Sequence, residues 1–106
     1  MVKQYEIYWV GPDPTIGSEI NKTRPAVVLS PDESNKHLNT VLVAPLTSTI
    51  RNFPMRVNIL LNDQKGQVAL DQIRSVDKSR LLGLLGILSK KEIRELKNIL
   101  KIYLLD

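Results

Sequence analysis

The chain has 106 residues, 42% hydrophobic and 25% charged, with no cysteine and a formal net charge of +4. That length allows one domain with a modest core, and the balance of apolar and charged residues excludes an intrinsically disordered chain. The missing cysteine excludes disulfide scaffolds, thiolate zinc sites and a cysteine nucleophile, and the positive charge suits a polyanionic partner as well as it suits plain solubility.

The N-terminus, MVKQYEIYWVGPD, carries no apolar stretch long enough for a signal peptide. No segment approaches the ~18 apolar residues that span a bilayer, so a cytoplasmic protein is expected. Tyr5 to Val10 reads as a first strand, rich in aromatic and β-branched residues. Gly11 to Arg24 is a long polar loop, and loops of this length in a small chain usually carry function. Pro25 to Ser30 is a second strand, with proline at its first position where a strand tolerates it. Pro31 to Asn39 is a polar connection with room for a turn of helix.

Thr40 to Thr47 is a third strand whose continuous apolar run predicts burial on both faces. Ser48 to Asn52 is a second polar loop. Met55 to Leu61 alternates Arg56, Asn58 and Leu60 with Val57, Ile59 and Leu61, the period of a half-buried strand. Asn62 to Gly66 has turn chemistry, and Gln67 to Ser75 reads as a fifth strand. Asp77 is placed to cap a short helix over Lys78 to Leu82. Leu84 to Leu88 is a short apolar strand. Ser89 with Glu92 forms a capping box, and Ile93, Leu96, Leu100 and Tyr103 then recur at helical spacing, with Ile99 and Leu104 beside them. Strands followed by one terminal helix predict a mainly β, α+β fold: a small antiparallel barrel or sheet with a packed helix.

Few constellations carry chemistry. The single histidine, His37, sits in a polar connection and reads as solvated; it rules out a paired-histidine phosphodiesterase and any HExxH site. Asp13, Glu19 and Asp71 are scattered carboxylates, not a two-metal site. The loop GPDPTIGS lacks the Lys-Ser/Thr ending of a phosphate loop. What remains is Arg24, at the end of the long loop, and the hydroxyl cluster Thr47-Ser48-Thr49, at the end of the third strand. A guanidinium grips a phosphate through two N–H donors, but composition alone favours a surface ion pair of Arg24 with Glu19 or Asp71. The hydroxyls either face a ligand or satisfy backbone groups at the strand end.

The run WVGPDPTIGSEINKTRPAVVLSP, then Asn35, VAPLTST, VALDQIRSVDKSRL and GILSKKEIREL, resembles in order and spacing the MazF/PemK/Kid toxins of type II toxin–antitoxin systems. The resemblance runs over essentially the whole chain, as one toxin domain over residues 1–106. It implies a small SH3-like antiparallel barrel with a C-terminal helix, shared with the CcdB gyrase poisons. It also implies a homodimeric, metal-independent and ribosome-independent endoribonuclease that needs no cofactor. Such an enzyme cleaves single-stranded RNA and mRNA at short sequences to 2′,3′-cyclic phosphate and 5′-OH ends. The implied partners are the RNA and a MazE-like antitoxin with an acidic C-terminal segment, with which the toxin also binds DNA.

The resemblance places catalytic roles at Arg24, Thr47 and Glu19. Asp13, Thr15, Ser18, Ser48, Thr49, Asp71 and Arg74 fall at RNA-binding positions. Arginine is a poor general base because its pKa is above ~12, so proton abstraction stays open between Arg24 and Glu19. Base platforms are sought at Trp9 or Phe53, with Trp9 expected in the core. Three departures stand out. Tyr5 occupies the place of a usual turn glycine. Ser18 and Ala69 replace the histidine and arginine of the Kid branch, which favours the MazF-like version. Gly11-Pro12 alters the entry to the loop. Two rival readings share the fold: a CcdB-like topoisomerase poison, and a catalytically dead RNA-binding or interaction module.

Overall fold

The computed structural model describes residues 1–12 and 23–105. Seven strands form one curled, half-barrel sheet: β1 (Glu6–Val10), β2 (Arg24–Val28), β3 (Thr40–Thr47), β4 (Arg56–Leu61), β5 (Gln64–Ala69), β6 (Arg74–Asp77) and β7 (Leu81–Ile87). A short helix α1 (Asp32–His37) joins β2 to β3, and α2 (Lys90–Leu104) closes the chain. The strand order is β4-β5-β3-β2-β1-β7, every pairing is antiparallel, and β6 pairs with β3 off this path.

Both faces of the curl are used. Ile7, Val27, Ala44, Leu46, Val57, Ile59 and Val68 point to the concave core, where Leu96 of α2 is fully buried among them. Here the helical stripe meets the period-2 stripes of five strands, and burial of this apolar area is the main stabilising term. Ile93, Ile99 and Leu100 line the same contact, whereas Tyr103 and Leu104 lie beyond it and are exposed. The opposite face carries a second cluster of Val10, Ala26, Val28, Val41, Val43 and Val76.

Several expectations shift. The fifth strand stops at Ala69, because a 3₁₀ turn at Leu70–Gln72 breaks it, and the chain resumes as β6 against the other end of β3. The predicted five-residue turn tightens to Asn62 and Asp63, which take φ values of 50° and 65°, the left-handed pair of a two-residue hairpin. The short helix after Asp77 is a 3₁₀ turn, Lys78–Arg80, and Asp77 caps it as expected by accepting from the Ser79 N–H at 2.9 Å. β3 is not buried on both faces throughout, since Thr40 and Leu42 in its early half are exposed.

Trp9 is not in the core; it is 41% exposed. Alternation along β1 sends Ile7 to the α2 core and Tyr8 and Val10 to the second cluster; Trp9, on the side of Ile7, belongs to neither cluster. Tyr5 adopts φ 72°, the left-handed backbone that glycine takes freely. Its N–H donates to the Val28 carbonyl (2.7 Å) and its carbonyl accepts from Leu88 N–H (3.1 Å), so the turn is held on both sides.

Candidate active site

Arg24 and Thr47 share one face of the sheet. β2 and β3 pair with Ala26 opposite Pro45, Val27 opposite Ala44 and Val28 opposite Val43. Continued two residues, that register puts Arg24 across from Thr47. Alternation places both on the face opposite the α2 core, beyond the end of the second apolar cluster. The Arg24 side chain is exposed, and Thr47 is half-buried.

Thr47 Oγ1 accepts from the Thr49 N–H at 3.1 Å. That bond turns the chain at the strand end and uses a lone pair, so the hydroxyl proton stays available for donation. Ser48 and Thr49 follow in the loop, both exposed. Arg74 faces the same way in β6, opposite Val43. Four residues of β3 separate that point from Thr47, about 13 Å at strand rise, so Arg74 borders the site rather than joining Arg24. Asp13, Thr15, Ser18 and Glu19 lie outside the described residues.

The row continues across two more strands, through residues that sequence reasoning passed over. Thr47 pairs with Gln67, and Gln67 with Asn58. The Gln67 side chain is buried and fully used: its amide donates to the Arg51 carbonyl (3.0 Å) and to Asn58 Oδ1 (2.9 Å), and its Oε1 accepts from the Arg51 N–H (3.0 Å). One side chain therefore pins the loop after Thr47 onto the sheet. Gly66 lets that loop end come close, since a Cβ there would meet the Thr47 carbonyl oxygen at 3.2 Å. The polar half of the alternation in Arg56 and Asn58 was the available signal; its partner Gln67 had none until the strands were paired.

Asp71 is taken by Arg56, not Arg24. Arg56 Nε lies 2.9 Å from Oδ1, and a terminal nitrogen lies 3.3 Å from Oδ2. Burial pushes the Asp71 carboxyl up, but hydrogen bonds from Arg56, its own backbone and Gln72, with the Arg56 charge, bring it below the ordinary carboxylate value. The composition-based alternative of an Arg24–Asp71 pair is thereby corrected: Arg56, one strand further out on β4, reaches the 3₁₀ turn that carries Asp71. Just after β1, Gly11 is anchored by Arg80, whose guanidinium donates twice to the Gly11 carbonyl (3.0 and 2.9 Å) while the Arg80 carbonyl accepts from the Gly11 N–H (2.8 Å). Asn35 proves structural: fully buried, it bonds Ser30 and ties α1 to β2. Among the described residues, no three His, Asp or Glu side chains gather as a metal site would need.

The antiparallel half-barrel sheet with its C-terminal helix agrees with what known proteins show. The PemK-like, MazF-like toxins of type II toxin–antitoxin systems match over residues 3–104. The chain belongs to this family. It is 34% identical to the Endoribonuclease MazF of Staphylococcus saprophyticus, over 98% of its own length and 92% of that protein's. Its fold matches MazF in the MazE–MazF complex (Form-II) of Deinococcus radiodurans, with a TM-score of 0.83, 28% identity, and 97% and 95% of the two chains covered. A mycobacterial endoribonuclease in complex with its cognate antitoxin shares the fold at a TM-score of 0.82 and 24% identity, with 98% and 95% of the two chains covered. The MazF-like chain is thus a member of a family of endoribonuclease toxins.

Proposed function

We propose that this MazF-like chain is the toxin of a type II pair and cleaves single-stranded RNA at short sequences, without a metal ion or a ribosome. The observation that supports this reading is the β2–β3 register, which, continued two residues beyond Ala26 and Pro45, brings Arg24 opposite Thr47 on one face. In the reaction the ribose 2′-oxygen loses its proton and attacks the adjacent phosphorus. The bond to the 5′-oxygen breaks, and that oxygen leaves with a proton. The products are a 2′,3′-cyclic phosphate and a 5′-OH.

Arg24 binds two non-bridging phosphate oxygens and stays charged throughout. The Thr47 hydroxyl donates to the developing charge, while its bond from Thr49 N–H fixes where it points. Glu19 takes the 2′ proton, since an arginine that stays charged has no lone pair to accept one. Ser48 and Thr49 supply hydroxyls to the strand, Arg74 meets its backbone further along, and Asp13, Thr15 and Ser18 contribute from the segment that precedes Arg24. Asp71 acts through Arg56.

The family match supports an antitoxin partner and a toxin domain over residues 3–104; an acidic segment on that partner and a cytoplasmic site of action complete the proposal. Trp9, Leu82, Leu84 and Ile87, exposed on β1 and the edge strand β7, are the apolar strip that a second copy would cover in a homodimer. The deciding experiment incubates the protein with a defined RNA in EDTA and maps the ends. Cyclic phosphate ends with wild-type protein, and their loss in Arg24→Ala with an unchanged circular dichroism spectrum, are expected. Intact RNA from the wild type would favour the topoisomerase-poison or inactive-module reading, and activity that returns only with Mg²⁺ would overturn the metal-free chemistry.

A further inference from the structure

Phe53 stands in the connection between β3 and β4, 49% exposed and outside both apolar clusters. Packing therefore does not explain its position. The Arg56 guanidinium lies 5.2 Å from its ring centroid. That guanidinium is itself fixed, because Asp71 holds it at two points and its side chain is only 8% exposed. The Arg56 N–H also donates to the Phe53 carbonyl at 3.2 Å, closing a turn that keeps ring and cation together. Phe53 is thus an exposed aromatic ring backed by an immobile cation, a preorganised flat surface whose ordering has already been met by folding.

Its place in the sheet matters. Arg56 pairs with Ala69, two residues along β5 from Gln67, which pairs with Thr47. Two strands across and two residues along make about 12 Å between the Arg56 and Thr47 backbones. The same alternation puts Arg56, Asn58, Gln67 and Thr47 on one face. We propose that Phe53, backed by Arg56 and Asp71, is a stacking subsite for one nucleobase of the RNA whose scissile phosphate lies at Arg24 and Thr47. This rests on the ribonuclease reading. A base near the cut is splayed out and laid on the open face of the ring; every base has a π face, so the subsite fixes the strand's register, and neighbouring polar groups select the base.

The test is a set of RNA oligomers, each with one abasic residue at a successive position around the cut. Wild-type protein is expected to lose about 5- to 100-fold in kcat/KM at one position, the worth of one base–aromatic stack. Phe53→Ala loses a similar factor on intact RNA and nothing further at that position, while Phe53→Trp recovers the rate. If Phe53→Ala cleaves as fast as wild type with the same abasic profile, the subsite is overturned. A second readout is independent of cleavage: Phe53→Trp is titrated with RNA carrying a 2′-deoxy residue at the cut, and the emission of the added tryptophan is followed. Quenching without any wild-type cleavage would leave the stacking subsite standing and remove the nuclease reading. Cleavage without quenching would do the reverse.

Discussion

Arg56 and Asp71 face each other across the end of the β4–β5 hairpin, fork to fork, at 2.9 and 3.3 Å. The carboxylate that the family pattern assigns to RNA is bound within the protein, and the arginine that binds it lies under an aromatic ring. The outer face is therefore a connected surface from Arg24 to Phe53 rather than a set of separate residues.

The pair makes stability depend on acid. Asp71 titrates below its ordinary value in the folded chain, so on acidification the unfolded chain takes up the proton first. Its contribution is fully present above about pH 4 and is lost as pH falls through the lowered native value. Asp77, held down by the Ser79 hydrogen bonds, acts in the same direction. Asp71→Asn is expected to lower stability by about 1–3 kcal/mol at neutral pH, since Arg56 stays buried and half-satisfied. Urea titrations at several pH values should show the gap to wild type closing as pH drops; a gap independent of pH would disprove the linkage.

Gln67 holds the loop that follows Thr47. Gln67→Ala is expected to lower kcat by about 10- to 100-fold through misplacement of Thr47 and its neighbours, with RNA affinity much less affected. Unchanged kcat would show that the loop keeps its place without the amide.

Glu92 serves two elements at once. One oxygen accepts from Ser89 N–H at 2.8 Å and the other from Leu60 N–H at 2.8 Å, so the side chain that closes the capping box also covers the edge of β4. Glu92→Ala should cost about 1–2 kcal/mol in chemical denaturation, and Glu92→Gln, with one acceptor oxygen, should fall between. Equal stability of all three proteins would remove both bonds from the account.

Tyr5 carries backbone strain. Glycine and alanine at this position lose the same ring packing, so their difference isolates the left-handed φ. Tyr5→Gly is expected to be more stable than Tyr5→Ala by about 1 kcal/mol. Equal melting temperatures would mean that the turn relaxes.

Local chemistry was legible in the chain itself. The Ser89–Glu92 box, the Asp77 cap and the stripe through Leu96 depend on residues a few positions apart, so spacing and propensity suffice to place them. The terminal helix and most strands follow from that, and the segment ending in Arg24 marks itself by its family signature. Pairing decided the rest. No periodicity tells Asp71 to choose Arg56 over Arg24, or Gln67 to grip Arg51, because those partners are set by which strands lie side by side and in what register. Trp9 and the broken fifth strand belong to the same class: which side chains are covered at the end of β1, and where β5 gives way to a 3₁₀ turn, depend on which elements lie side by side. Sequence by itself determined which residues were available and which local bends they favour. Only the tertiary structure, through long-range register, decided that Arg24, Thr47, Gln67, Asn58 and Arg56 share one face.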